Sequence, residues 1–233
     1  LNTLLKSIPN AITLGNIFCG CLALIAVFNK NYEQVAFFVF LAGVLDFFDG
    51  FAARMLKAHS AIGKDLDSLA DVVTFGVVPG VLWFQILGTL FTSSSLLPYL
   101  AFAIPLSSAL RLAKFNNDSR QSSSFIGLPT PANAFFLCFL PLTASSPAFN
   151  HTLGIWLTNP YIALFIVLFF AGLLNSPIPL FALKVKSLKA PGNRLQLVFL
   201  TITVALLSLY GYFAIPFVIL LYIFLSIIFF KRP

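Results

Sequence analysis

Apolar residues dominate eight runs of this chain, each bounded by polar residues, Pro or Gly: roughly 11–29, 34–56, 66–89, 96–114, 129–146, 157–176, 195–210 and 213–230. A helix needs about 20 apolar residues to cross a hydrocarbon core. The pattern therefore predicts an all-α polytopic membrane protein with about eight transmembrane helices. Only the short break around "YGYFA" separates the last two runs, which predicts a tight helical hairpin. The first ten residues, "LNTLLKSIPN", predict a short interfacial helix ended by Pro9. They do not read as a cleaved signal, because Lys6 is their only basic residue and no small-residue cleavage site follows.

Composition supports this picture. The 233 residues are 59% hydrophobic and only 9% charged, where soluble domains carry about 25% charged residues. No polar segment is long enough for a second folded domain, so residues 1–233 read as a single membrane domain. Cys19, Cys21 and Cys138 lie in apolar runs, form no C-x-x-C, and read as small packing residues.

The basic residues orient the spans. With the N-terminus placed in the cytoplasm, the cytoplasmic segments hold Lys6, then Arg54, Lys57 and Lys64. Arg111, Lys114 and Arg120 follow, then Lys184, Lys186, Lys189 and Arg194, and finally Lys231 and Arg232. Of the fourteen Lys and Arg residues, only Lys30 falls outside. This alternation obeys the positive-inside rule with eight spans and both termini cytoplasmic. The net charge of +7 suits contact with anionic membrane lipids. No RNA- or DNA-binding module is legible, so nucleic acid is not an expected partner.

The acids are distributed unlike anything else in the chain. Of seven Asp and Glu residues, five (Asp46, Asp49, Asp65, Asp67 and Asp71) fall within "DFFDGFAARMLKAHSAIGKDLDSLAD". At about 100° per residue, Asp46 and Asp49 share one helix face with the small residues Gly50 and Ala53, and Arg54 stands beside them. On the next helix Gly63, Asp67 and Asp71, spaced by four, form a narrow stripe, while Asp65 lies off it and reads as a surface carboxylate. The short intervening turn makes the two helices antiparallel neighbours, a hairpin of about 34–89. Four facing carboxylates repel, and each costs about 2.5–3.5 kcal/mol in a membrane helix. Oxygen-only ligands point to a hard cation such as Mg²⁺ or Mn²⁺, and four carboxylates suit a two-metal centre. The small residues leave space for a flat ligand group, and Arg54 suits a phosphate. Metals, Arg and space together suggest a nucleotide diphosphate ligand.

This stretch fits D-x2-D-G-x2-A-R-x8-G-x3-D-x3-D at all eight fixed positions, and so resembles the CDP-alcohol phosphatidyltransferases. The resemblance implies a membrane enzyme that displaces CMP from a CDP-linked lipid or alcohol. It implies that Asp46, Asp49 and Asp67 ligate the metals, that Asp71 ligates the second metal and acts as base, and that Gly50, Ala53 and Arg54 hold the CDP part. It further implies a homodimer. The chemistry suits direct in-line transfer, because no Ser-His or Cys-His pairing is evident for a covalent intermediate.

Four further stretches lie on the cytoplasmic side: "IPNAITLGN" at 8–16, "SALRLAKFN" at 108–116, "FIGLPTPANA" at 125–134 and "NSPIPLFALK" at 175–184. Together they resemble the integral-membrane phosphatidylserine synthases, with Lys114 where that group carries a second Arg. The resemblance implies CDP-diacylglycerol and L-serine as substrates, in the plasma (inner) membrane of a prokaryote with the active site at its cytoplasmic face. Arg111 is then the first choice for the serine carboxylate, with Asn16, Asn116, Lys114 and Lys184 as further candidates. Pro9, Asn10 and Thr13 would help close the cytidine or phosphate end, and Gly63 would leave room beside it. Each has a plainer reading: basic residues as cytoplasmic anchors, Asn16 as a helix–helix contact, "GLPTP" as a turn. Two alternatives stay open at this level. One is another acceptor, glycerol 3-phosphate or inositol phosphate. The other, more distant, is a divalent-cation transporter.

Overall fold

The computed structural model describes residues 2–58, 60–117, 124–181 and 194–229. Their helices are α1 (Asn2–Phe28), α2 (Tyr32–Met55), α3 (Ala61–Asp71), α4 (Val78–Leu90), α5 (Ala103–Asn117), α6 (Thr130–Ser145), the single turn α7 (Ile155–Leu157), α8 (Pro160–Leu174), α9 (Arg194–Tyr210) and α10 (Ile215–Phe229). Every apolar run expected to be helical carries one of the long helices. Two three-residue strands, β1 (Ser124–Ile126) and β2 (Pro179–Phe181), pair antiparallel with Phe125 opposite Leu180. An otherwise all-α fold thus contains a small ribbon that the apolar pattern does not predict.

Among the described residues, four helical stretches are long and apolar enough to cross a membrane: Ser7–Phe28, Tyr32–Met55, Ala61–Leu90 and Arg194–Phe229. A fifth arises if α6 and the helical turns 150–157, bent by 105°, count as one span. The last of the four is not a straight rod. The rings of Phe199 and Tyr222 are 5.9 Å apart, whereas a straight helix would separate residues so far apart in sequence by about 34 Å. α9 and α10 therefore fold back on each other, as the break at "YGYFA" predicts. Gly211, at φ 56°, sits in their turn.

One expectation is corrected. Pro9 does not end a short N-terminal helix, because α1 runs unbroken through it. A proline inside a helix removes one N–H, but α1 continues to Phe28, about five more helical turns, packed along α2, and that packing outweighs the lost bond.

Prolines shape two other helices. Pro79 has no N–H for the Phe75 carbonyl. The turn before it widens into a π-helix, Val72–Val77, closed by the Val78 N–H bonding to the Val73 carbonyl. In α6, Pro141 deprives the Leu137 carbonyl of its usual donor. The fully buried Trp83 of α4 replaces it, its indole N–H donating to the Leu137 oxygen at 2.9 Å. α6 is the central helix, with every residue from Phe136 to Ala144 buried. α5 lies close against α4 because Gly80 has no side chain, and a Cβ there would stand 2.7 Å from Pro105 Cδ. Large apolar side chains such as Phe18, Phe47, Phe165 and Leu209 remain exposed on the outer faces, as expected where lipid is the solvent. Cys19 and Cys138 are buried packing residues, whereas Cys21 is exposed on the outer face.

Candidate active site

The acidic hairpin is built by two local devices. α2 ends in a Schellman motif. The Ala58 N–H bonds back to the Ala53 carbonyl at 2.9 Å and the Lys57 N–H to that of Arg54 at 3.3 Å, with Lys57 in the left-handed region at φ 50°. α3 begins two residues later, where the Ser60 hydroxyl accepts the Gly63 N–H at 3.0 Å. A stop and a start this close together bring the end of α2 and the start of α3 side by side.

The consequence is a carboxylate cluster. Asp46, Asp49 and Asp67 each offer an oxygen, and the three oxygens lie within 4.8 Å of one another. Asp49 is buried, and its Oδ2 accepts a 2.7 Å hydrogen bond from the Thr13 hydroxyl of α1. Asp71, one turn beyond Asp67, is also buried. Its Oδ2 accepts from the Thr130 hydroxyl of α6 at 3.4 Å, and its Oδ1 has no partner among the described residues. Asp65 is exposed, as expected. A buried carboxylate oxygen without a partner, beside three converging carboxylates, is the donor set that a hard divalent cation takes.

Next to the cluster opens a cavity of about 220 Å³ between α1, α2 and α3. It is lined by Pro9, Asn10, Thr13, Asp49, Gly50, Ala53, Arg54, Ala58, Ser60, Gly63, Lys64 and Asp67. All seven residues expected at the CDP part (Pro9, Asn10, Thr13, Gly50, Ala53, Arg54 and Gly63) are in this lining. A Cβ on Gly50 would find only the Arg54 guanidinium within 4 Å, at 3.6 Å. Gly50 is thus small toward open space, not toward a packed neighbour.

The residues expected to bind the acceptor are more scattered. Arg111 is buried on α5, and its Nε has no partner among the described residues. The carbon of its guanidinium lies 5.9 Å from the centre of the Phe115 ring. Asn16 is fully buried, with both amide atoms unpaired among the described residues, and its carbonyl accepts from the Thr74 hydroxyl at 3.2 Å. Lys114 is exposed and donates to Asn175 Oδ1 of the α8 end at 3.3 Å. The Asn116 amide donates to the Ser68 hydroxyl at 2.7 Å. Lys184 lies outside the described residues.

Four polar residues near the site were given no role there by the sequence. Lys64 and Ser60 line the cavity. Lys64 directly follows the motif glycine and stands three before Asp67 on the same helical face, which is a legible signal. Thr130 reaches Asp71 from α6, and Asn133, one turn on, is fully buried with both amide atoms unpaired among the described residues. Both fall within "FIGLPTPANA", but nothing in that stretch says which side chain they meet. Thr130 reaches the site because Gly127 turns the chain at φ 75°, with the Leu128 N–H bonded to the Leu173 carbonyl at 3.0 Å. A Cβ on Gly127 would collide with the Leu174 carbonyl.

The bundle and its acidic hairpin define a class of membrane transferase. The chain belongs to the CDP-alcohol phosphatidyltransferase family, whose model matches residues 6–230. Among its relatives is the CDP-diacylglycerol–serine O-phosphatidyltransferase of Bacillus subtilis, 40% identical over 136 residues, covering 58% of this chain and 76% of the relative. The protein of the same name from Helicobacter pylori strain J99 is 35% identical over 136 residues, covering 57% of this chain and 56% of the relative. That from Methanocaldococcus jannaschii is 33% identical over 149 residues, covering 64% and 67%. The chain thus aligns with little more than half the length of the Helicobacter relative.

Proposed function

We propose that this protein is a CDP-diacylglycerol–serine O-phosphatidyltransferase, making phosphatidylserine and CMP from CDP-diacylglycerol and L-serine. The observation that carries the proposal is the pairing of three converging carboxylates with a cavity lined by every residue expected to hold CDP. The names of the relatives supply the acceptor.

In this reading Asp46, Asp49, Asp67 and Asp71 hold two divalent cations, Mg²⁺ or Mn²⁺. Such cations, when bound, neutralise the pyrophosphate oxygens and the leaving phosphate of CMP. The chain's own residues do the rest. Gly50 and Ala53 leave the cavity open for the nucleotide, Arg54 takes a phosphate, and Asn10 and Thr13 close the α1 side. Asp71 receives the proton of the serine hydroxyl, and Thr130 fixes its carboxylate. Arg111 takes the serine carboxylate, a buried cation for a buried anion. The hydroxyl attacks the lipid phosphate directly and CMP leaves.

We place the site at the cytoplasmic face of a prokaryotic inner membrane, in a homodimer of eight-span chains with cytoplasmic termini. The basic residues and the α9–α10 hairpin support that topology.

The test is CMP release from CDP-diacylglycerol by the purified protein with Mn²⁺ or Mg²⁺, with and without L-serine. The expected result is serine-dependent release that Asp71→Asn abolishes. Release with glycerol 3-phosphate or inositol phosphate but not with serine would keep the family and overturn the acceptor. Divalent-cation uptake into vesicles with no CMP release would overturn the reaction.

A further inference from the structure

Lys64 is a cation in the lining of the nucleotide cavity that lies outside the eight-position motif. It does not simply project into water. Its ammonium donates to the backbone carbonyl of Asn116 at 2.8 Å, across 52 residues of sequence. Asn116 is the second-to-last residue of α5, so its carbonyl is one of those a helix end leaves without an intrahelical donor. The contact also places a positive charge at the negative end of the α5 dipole.

A second bond closes the loop. The Asn116 amide donates to the Ser68 hydroxyl at 2.7 Å, and that hydroxyl donates to the Lys64 carbonyl at 3.1 Å. Lys64 and Ser68 are four apart on α3, so both face the same neighbour. The end of α5 is thereby clamped to α3 at two points. The same helix carries the buried Arg111, five residues earlier.

An ammonium has three N–H donors, and the Asn116 carbonyl uses one. We propose that the remaining donors of Lys64 bind the phosphate-bearing part of the nucleotide substrate, while its bond to Asn116 holds the α5 end and so keeps Arg111 placed for the acceptor. Lys64 is then a nucleotide ligand and also a positioning residue linking the donor and acceptor halves. Asn116 acts as the tie between α3 and α5 and does not bind the acceptor. This inference rests on the reading under Proposed function.

The test uses the full-length protein in detergent with Mn²⁺. CDP binding is measured by calorimetry, and KM for L-serine by CMP release at saturating CDP-diacylglycerol. Lys64→Met is expected to weaken CDP binding about tenfold, the loss of one charge-assisted contact, and to raise the serine KM several-fold. Lys64→Arg should recover most of the CDP affinity. Ser68→Ala, which breaks only the second clamp point, should leave CDP affinity within about twofold of wild type and still raise the serine KM. Lys64→Met that binds CDP like wild type overturns the ligand role. Lys64→Met with weakened CDP binding but an unmoved serine KM overturns the link. Wild-type protein that fails to bind CDP overturns the parent reading and this one with it, an outcome distinct from a failure in the variants alone.

Discussion

Thr13→Val tests the carboxylate cluster without touching a carboxylate. The Thr13 hydroxyl stands 2.7 Å from Asp49 Oδ2 and 3.0 Å from the Pro9 carbonyl. It has one proton, and the shorter contact to the charged acceptor takes it. Both residues are buried, at 3% and 4% exposure, so no water replaces the donor when valine does. A hydrogen bond to a charged group is worth about 1.5–3 kcal/mol, and each 1.4 kcal/mol is about tenfold in an equilibrium. The hydroxyl stabilises the carboxylate's charge and fixes its rotamer, and a cation bound to Asp49 needs both. Outer-shell partners of this kind typically contribute about 10–100-fold to metal affinity or activity. Thr13→Val should therefore raise the Mn²⁺ concentration for half-maximal CMP release about 10–100-fold, and Thr13→Ser should restore it. The assay is a Mn²⁺ titration at fixed CDP-diacylglycerol and serine, with the thermal midpoint recorded to establish that the variant is folded. A folded Thr13→Val with an unchanged Mn²⁺ midpoint would refute the reasoning, because Asp49 would then not be a ligand that Thr13 supports.

Gly50→Ala should bind CDP more weakly while the thermal midpoint holds or rises, since the methyl points into the cavity and alanine gains about 1 kcal/mol of helix propensity over glycine. A lowered midpoint would mean that Gly50 serves packing instead. Trp83→Phe should cost about 1–3 kcal/mol in chemical denaturation, because the Leu137 carbonyl loses its substitute donor. That cost should shrink in a Pro141→Ala background, where residue 141 supplies its own N–H. Equal costs in both backgrounds would sink the explanation. Arg111→Lys should raise the serine KM by more than tenfold with little change in CDP affinity, since an ammonium lacks the guanidinium fork. A parallel loss of both would place Arg111 elsewhere in the cycle.

Much of this molecule is legible in its sequence alone, for a physical reason. Lipid cannot hydrogen-bond a backbone, so each apolar run must become a helix. The runs accordingly mark the positions of the long helices among the described residues, including the folded-back pair α9 and α10. The acidic frame is legible for a similar reason. A repeat of three and four residues defines one face of a helix whatever surrounds it, and Asp46, Asp49, Asp67, Gly50 and Arg54 are gathered as that spacing requires. The local turn between α2 and α3 needs only near neighbours to form.

What tertiary structure decided is what depends on partners remote in sequence. Thr130 reaches Asp71, Lys64 reaches Asn116, and Trp83 serves a carbonyl orphaned by Pro141 on another helix. None of these pairs leaves a periodic trace, because each depends on how two helices cross and not on how either is spaced. The same holds for the backbone departures. α1 continues through Pro9 and the chain before Pro79 relaxes into a π-turn. Packing against neighbouring helices, which local propensity does not contain, determines whether a proline ends a helix, widens it or is carried through.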